Sequence, residues 1–136
     1  MFRMENFKNH LNLMGKTVLI VEEYSKLRNM MAYILSYGGA NVVESCNYEE
    51  SLNIINREKI DVVLMDINML FINEMRVLRS KKNHDNSKSI PTIIVSSDHT
   101  KLDELSCDLE NEQGYLYKPF TATDLLQKTA EVLSLD

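Results

Sequence analysis

Three stretches of the chain are continuously apolar, rich in β-branched side chains, and stop abruptly at polar residues. Val18-Leu19-Ile20-Val21 runs into Glu22-Glu23, Val62-Val63-Leu64-Met65 into Asp66, and Ile93-Ile94-Val95 into Ser96-Ser97. Residues 17–21, 62–65 and 92–95 therefore read as strands buried on both faces by covering helices. Val42-Val43 and Tyr115-Leu116-Tyr117 lie in more mixed surroundings, which suits the two edges of a sheet.

Helical periodicity fills the intervals. Leu27, Met30, Met31, Ile34 and Leu35 recur at helical spacing, with Ser25 as the expected N-cap and Gly38-Gly39 as the stop. Asn47 and Glu50 form a capping-box pattern ahead of Leu52, Ile54 and Ile55. A short third helix carries Met75 and Leu78, and a fourth, starting near Thr100, carries Leu102, Leu105 and Leu109. The fifth follows Thr121, has Asp124 three residues on, and buries Leu125, Leu126, Val132 and Leu133. Strand and helix thus alternate five times. The expected fold is α/β: a doubly wound, five-stranded parallel sheet with five helices and right-handed crossovers. With the second strand at an edge, the order is 2-1-3-4-5, and the switch point falls between strands 1 and 3. Residues 1–15 stand outside the repeat as an N-terminal extension, and 16–136 form the domain. Phe2, Phe7, Leu11 and Met14 could line one side of a helix there.

Composition narrows the class. The chain has 136 residues, 44% hydrophobic and 26% charged, enough for one ordinary globular domain. A net charge of −5 argues against nucleic acid as a partner. No apolar stretch reaches the length of a membrane span, and the amino terminus lacks a secretory signal, so a cytoplasmic protein is expected. Cys46 and Cys107 make no CxxC and read as reduced thiols; His10, His84 and His99 have no metal-ligand spacing.

Chemistry enters at the strand ends. In an open parallel sheet ligands bind outside the carboxyl ends of the strands. That edge gathers Glu22, Glu23, Asp66 and Ser96, and Lys118, ahead of Pro119, adds an ammonium. Carboxylates, a hydroxyl and an amine converging on one point make a place for a cation beside a phosphoryl group.

The segments VLIVEEYSKLR, VVLMDINM, IIVSS and YLYKPF, in this order at these strand ends, resemble the receiver domain of two-component response regulators. The likeness covers roughly residues 16–134 and is similar to stand-alone, chemotaxis-type receivers, a flavodoxin-like fold. It implies that Asp66 accepts a phosphoryl group from a histidine kinase or phosphotransfer protein. It further implies that Glu22, Glu23, Asp66 and the backbone carbonyl of Asn68 bind Mg2+, and that Ser96 and Lys118 contact the phosphoryl oxygens. Tyr115 takes the family's switch position, and the Lys118-Pro119 peptide is expected to be cis. The implied function is switching of a partner-binding face formed by the fourth helix, fifth strand and fifth helix toward a downstream target. The chain would be a monomer or weak dimer, without output domain, DNA-binding part or membrane anchor. It would be no enzyme beyond its own phosphorylation and dephosphorylation.

The chain departs from the family pattern at Glu23, where Asp is usual, at Leu70 in place of a proline, and at Glu74 in place of a glycine. Ser97 replaces a smaller residue. These motivate an alternative: a degenerate pseudo-receiver that binds partners without phosphate control. A cofactor binder or phosphohydrolase fits less well. The first strand–helix turn has no glycine-rich loop, and Asn68 stands where a phosphohydrolase has its second aspartate.

Overall fold

The computed structural model describes residues 13–67, 90–97 and 114–134. Among them the order is β1 (Thr17–Val21), α1 (Ser25–Tyr37), β2 (Asn41–Ser45), α2 (Tyr48–Arg57), β3 (Val62–Asp66), β4 (Thr92–Ser96), β5 (Gly114–Tyr117) and α3 (Ala122–Ser134). The five strands form one parallel sheet in the order β2-β1-β3-β4-β5, as the alternation of apolar runs and helical stripes requires. The expected third and fourth helices, with Met75, Leu78, Leu102, Leu105 and Leu109, lie outside the described residues. Leu70, Glu74 and the extension up to residue 12 lie outside them too.

Because side chains alternate across a strand, each central strand feeds two cores. Leu19, Val21, Val63, Met65 and Ile94 pack with Ile54 and Ile55 of α2. Val18, Ile20, Val62, Leu64, Ile93, Val95 and Leu116 pack with Met31, Ile34 and Leu35 of α1 and Leu125, Leu126 and Val132 of α3. β3 and β4 are buried at every position. β5 alternates between buried and more exposed positions, and β2 is exposed or half-buried everywhere except Ser45, as suits edge strands. Leu13, 1% exposed, plugs the end of the α1–α3 layer, and its N–H donates to the Gly38 carbonyl (2.9 Å).

The helix ends are set by local chemistry. Asn47 Oδ1 accepts the Glu50 N–H (2.8 Å), so Asn47 caps α2 as its position suggests, whereas Glu50 Oε1 reaches past the N-cap of a true capping box to accept the Cys46 N–H (3.3 Å). Thr121 and Asp124 cap α3 reciprocally, at 3.0 and 2.9 Å. Gly39, at φ +104°, lets the chain leave α1 in a conformation that side-chain-bearing residues avoid.

Two expectations for α1 are corrected. The N-cap is Tyr24, in extended conformation, and Ser25 is the first helical residue. The Tyr24 side chain makes no cap bond; its carbonyl takes the first helical bond, from the Arg28 N–H (2.9 Å). Met30 is 44% exposed rather than core-facing. The buried stripe runs through Met31, Ile34 and Leu35, and Met30 lies about 100° around the helix from Met31. Among the described residues no helix is long and apolar enough to cross a membrane.

Candidate functional site

The carboxyl end of β1 is held by one more rung of sheet. Glu22 N–H donates to the Ser45 carbonyl (3.0 Å), continuing the β1–β2 ladder past Val21. On the other side Val21 pairs with Met65 in register, which puts Glu22 beside Asp66 at the ends of the two central strands. Both are buried, Glu22 at 3% and Asp66 at 7% exposure. Sheet geometry thus brings two carboxylates into one buried crevice.

Lys118 reaches the same crevice from β5. Its N–H donates to the Ser96 carbonyl (2.8 Å), extending the β4–β5 ladder, and its peptide to Pro119 is cis, as expected. The ammonium Nζ lies 3.4 Å from Glu22 Oε1 and 3.5 Å from Asp66 Oδ2. A buried ion group of this kind holds together only if its charges balance and its oxygens find donors. One such donor is the Tyr24 N–H, which binds Glu22 Oε2 (3.1 Å).

Among the described residues the balance is incomplete. Burial raises the pKa of Glu22 above its usual value. The neighbouring Asp66 charge and a hydrogen bond shared with the Asp66 side chain push it the same way. The Tyr24 N–H and the Lys118 ammonium pull it down without cancelling the rise. Among the described residues, two carboxylates thus face one ammonium, and hard carboxylate oxygens are the donors that Mg2+ or Ca2+ takes.

Of the residues singled out in the sequence, the structure brings Glu22, Asp66 and Lys118 together, with Ser96 buried at the adjoining strand end. Glu23 is exposed, and among the described residues no three or more His, Cys, Asp or Glu side chains gather in a group that could hold a metal. Tyr115 is half-buried, packed against the α2-side core. Asn68 lies outside the described residues.

Two participants went unrecognised in the sequence. Tyr24 contributes its N–H to Glu22. Arg28, one turn into α1, donates from Nη1 to the carbonyls of Glu22 (2.8 Å) and Glu23 (3.4 Å), and its Nε pairs with Glu44 Oε1 on β2 (3.4 Å). A basic residue in the first turn after an acidic strand end was the available signal.

Comparisons with known proteins identify the family and the fold. The family described as the response regulator receiver domain matches residues 18–130. Protein PilH of Pseudomonas aeruginosa is 28% identical over 117 residues, 86% of this chain and 97% of that protein. Chemotaxis protein CheY of the same organism is 24% identical over 116 residues, 85% and 94% of the two chains. The phosphate regulon transcriptional regulatory protein PhoB of Escherichia coli is 22% identical over 120 residues; these are 88% of this chain but 52% of that protein, so the chain spans about half of its length. Among solved structures, the chemotaxis response regulator CheY4 of Vibrio cholerae superposes with a TM-score of 0.74 at 22% identity, covering 87% of this chain and 98% of that one, and shares the fold. With the family match spanning most of the sequence and the acidic crevice at the expected strand ends, the chain belongs to the response regulator receiver domain family.

Proposed function

We propose that this receiver domain takes a phosphoryl group onto Asp66 from a histidine kinase or phosphotransfer protein, and that the phosphorylated form switches binding to a downstream protein. The observation that carries the reading is the Lys118 ammonium poised between two buried carboxylates, 3.4 Å from Glu22 and 3.5 Å from Asp66. A structural ion pair needs one carboxylate; a phosphoryl-accepting site needs a nucleophilic carboxylate, a cation for the incoming oxygens, and oxygens for a divalent ion.

In the proposed reaction an Asp66 carboxylate oxygen attacks phosphorus. The bond from phosphorus to the donor's imidazole nitrogen breaks, and the donor histidine keeps that electron pair. Lys118 neutralises charge on the transferred oxygens, the Ser96 hydroxyl donates to one of them, and the buried crevice excludes competing water. Glu22 and Asp66 have the oxygens that Mg2+ takes and would supply carboxylate ligands, exposed Glu23 would contact the ion through water, and the family resemblance would add the Asn68 backbone carbonyl. Bound there, the ion supplies charge neutralisation for phosphoryl transfer. Tyr115 is the proposed reporter of the new dianion, on the edge strand next to the face that meets the target. The chain is on this reading a signalling module, not a classical enzyme.

The test is incubation with Mg2+ and acetyl phosphate, followed by intact-mass measurement. Wild type gains one phosphoryl group and Asp66→Asn gains none. Wild-type protein that stays at its original mass, and that shows no Mg2+-dependent tyrosine fluorescence change with beryllofluoride, refutes the reading and leaves a phosphorylation-independent interaction module.

A further inference from the structure

We propose that Arg28 is a positioning residue that sets the divalent-cation affinity of the site by clamping the backbone of the acidic loop; this rests on the reading of Glu22 and Asp66 as a Mg2+ site. At the loop between β1 and α1 the N-cap residue, Tyr24, makes no side-chain cap bond. The loop carbonyls at Glu22 and Glu23 are instead bound by one guanidinium nitrogen, at 2.8 and 3.4 Å. The other side of that guanidinium is braced by Glu44, 3.4 Å away on the neighbouring strand. Arg28 is largely buried, its side chain 19% exposed against 39% for Glu44.

This arrangement suits an arginine and no other residue. The planar fork can hold two carbonyls and a carboxylate at once, whereas an ammonium offers a single mobile point charge. The clamp works on the main chain of the residue whose side chain faces Asp66. It thereby fixes where the Glu22 carboxylate starts from, while Tyr24 fixes one of its oxygens. Mg2+ tolerates little deviation from its preferred geometry, so a loose loop weakens binding even with every ligand present. An opposing effect exists, since a second cation near the site repels a metal. Glu44 offsets it by pairing with the guanidinium. Positioning therefore outweighs repulsion.

The experiment is calorimetric titration of the full chain with MgCl2, alongside melting of the metal-free protein. Wild type binds, and Arg28→Met binds about tenfold more weakly, the scale of a lost partner behind a metal ligand. Arg28→Lys recovers less than half of that loss on a logarithmic scale, because charge alone does not restore the clamp. Glu44→Gln, on an exposed side chain that leaves the fold intact, weakens binding by a factor of about three, the worth of a partly exposed ion pair. Lys128→Met, which removes a distant pair with Glu131, changes nothing. An Arg28→Met affinity equal to or tighter than wild type overturns the inference, as does full recovery by lysine. If Arg28→Met does not fold, unchanged affinity in both Arg28→Lys and Glu44→Gln overturns it. Wild type that binds no Mg2+ overturns the site reading and this inference with it; wild type that binds, with Arg28→Met unchanged, overturns this inference alone.

Discussion

Replacing Lys118 by methionine keeps the length and most of the apolar stem of the side chain while deleting the ammonium that faces Glu22 and Asp66. At 3.4 and 3.5 Å, each attraction is worth about 5 kcal/mol before desolvation, for an effective dielectric constant of about 20. Desolvating the lysine and ordering its stem cancel most of that. Removing one partner of a buried pair usually costs about 3–5 kcal/mol, because an uncompensated charge stays behind. The Lys118 side chain is 23% exposed, so water screens part of the loss. We expect about 2–3 kcal/mol, which for a domain of this size lowers Tm by about 6–12 °C at pH 7 without metal. The sign of the pH dependence is fixed too. Glu22 already holds its proton more tightly than an ordinary glutamate, and losing Lys118 removes one of the two groups pulling its pKa down. A raised folded-state pKa stabilises the fold at low pH, and that contribution is lost as pH rises through it. The deficit of Lys118→Met therefore shrinks as pH falls from 7 toward the usual glutamate value of 4.5. Mg2+ shrinks it as well, by supplying the missing positive charge. The assay is thermal melting by circular dichroism over that pH range, with and without MgCl2. A variant melting within about 2 °C of wild type at pH 7 without metal, or a deficit that widens on acidification, refutes the reasoning.

Three further outcomes are expected. Asn47→Ala removes the acceptor of the Glu50 N–H at the start of α2 and lowers stability by about 1 kcal/mol in urea denaturation, with an unchanged m-value. Leu13→Ala empties a fully buried position against α1 and α3 and costs about 2–4 kcal/mol in the same assay; a loss under about 1 kcal/mol means that Leu13 is not packed there. Apparent Mg2+ affinity of wild type falls on acidification, beginning above pH 4.5 because Glu22 protonates early, and Glu22→Gln, already weak, shows a flatter profile by calorimetry.

Much of the fold was readable because β1, β3 and β4 are buried on both faces and so carry uninterrupted apolar runs. The point where each run breaks marks the sheet edge, which is why Glu22, Asp66 and Ser96 could be named. Glu22 and Glu23 are chemically identical neighbours, and composition could not rank them. The structure separates them through the extra rung from Glu22 to Ser45, which leaves one carboxylate buried and the next exposed. Arg28 was hidden for a different reason. Its partners are two carbonyls and a glutamate on another strand, and main-chain acceptors leave no trace in residue type. Ser25 misled because a serine ahead of a helical stripe normally caps it, whereas here the cap position falls one residue earlier, on Tyr24.

The pairing of Val21 with Met65 has a consequence for redesign. Because the side-by-side placement of Glu22 and Asp66 follows from how two neighbouring strands align, the connecting segments that follow those strands can be exchanged between relatives without separating the two residues, provided that the Tyr24 N–H and the Arg28 guanidinium, which fix the Glu22 carboxylate and its main chain, are kept. A slip of that alignment by a single residue, by contrast, would turn one carboxylate to the opposite side of the sheet and dissolve the crevice, however well every loop were preserved.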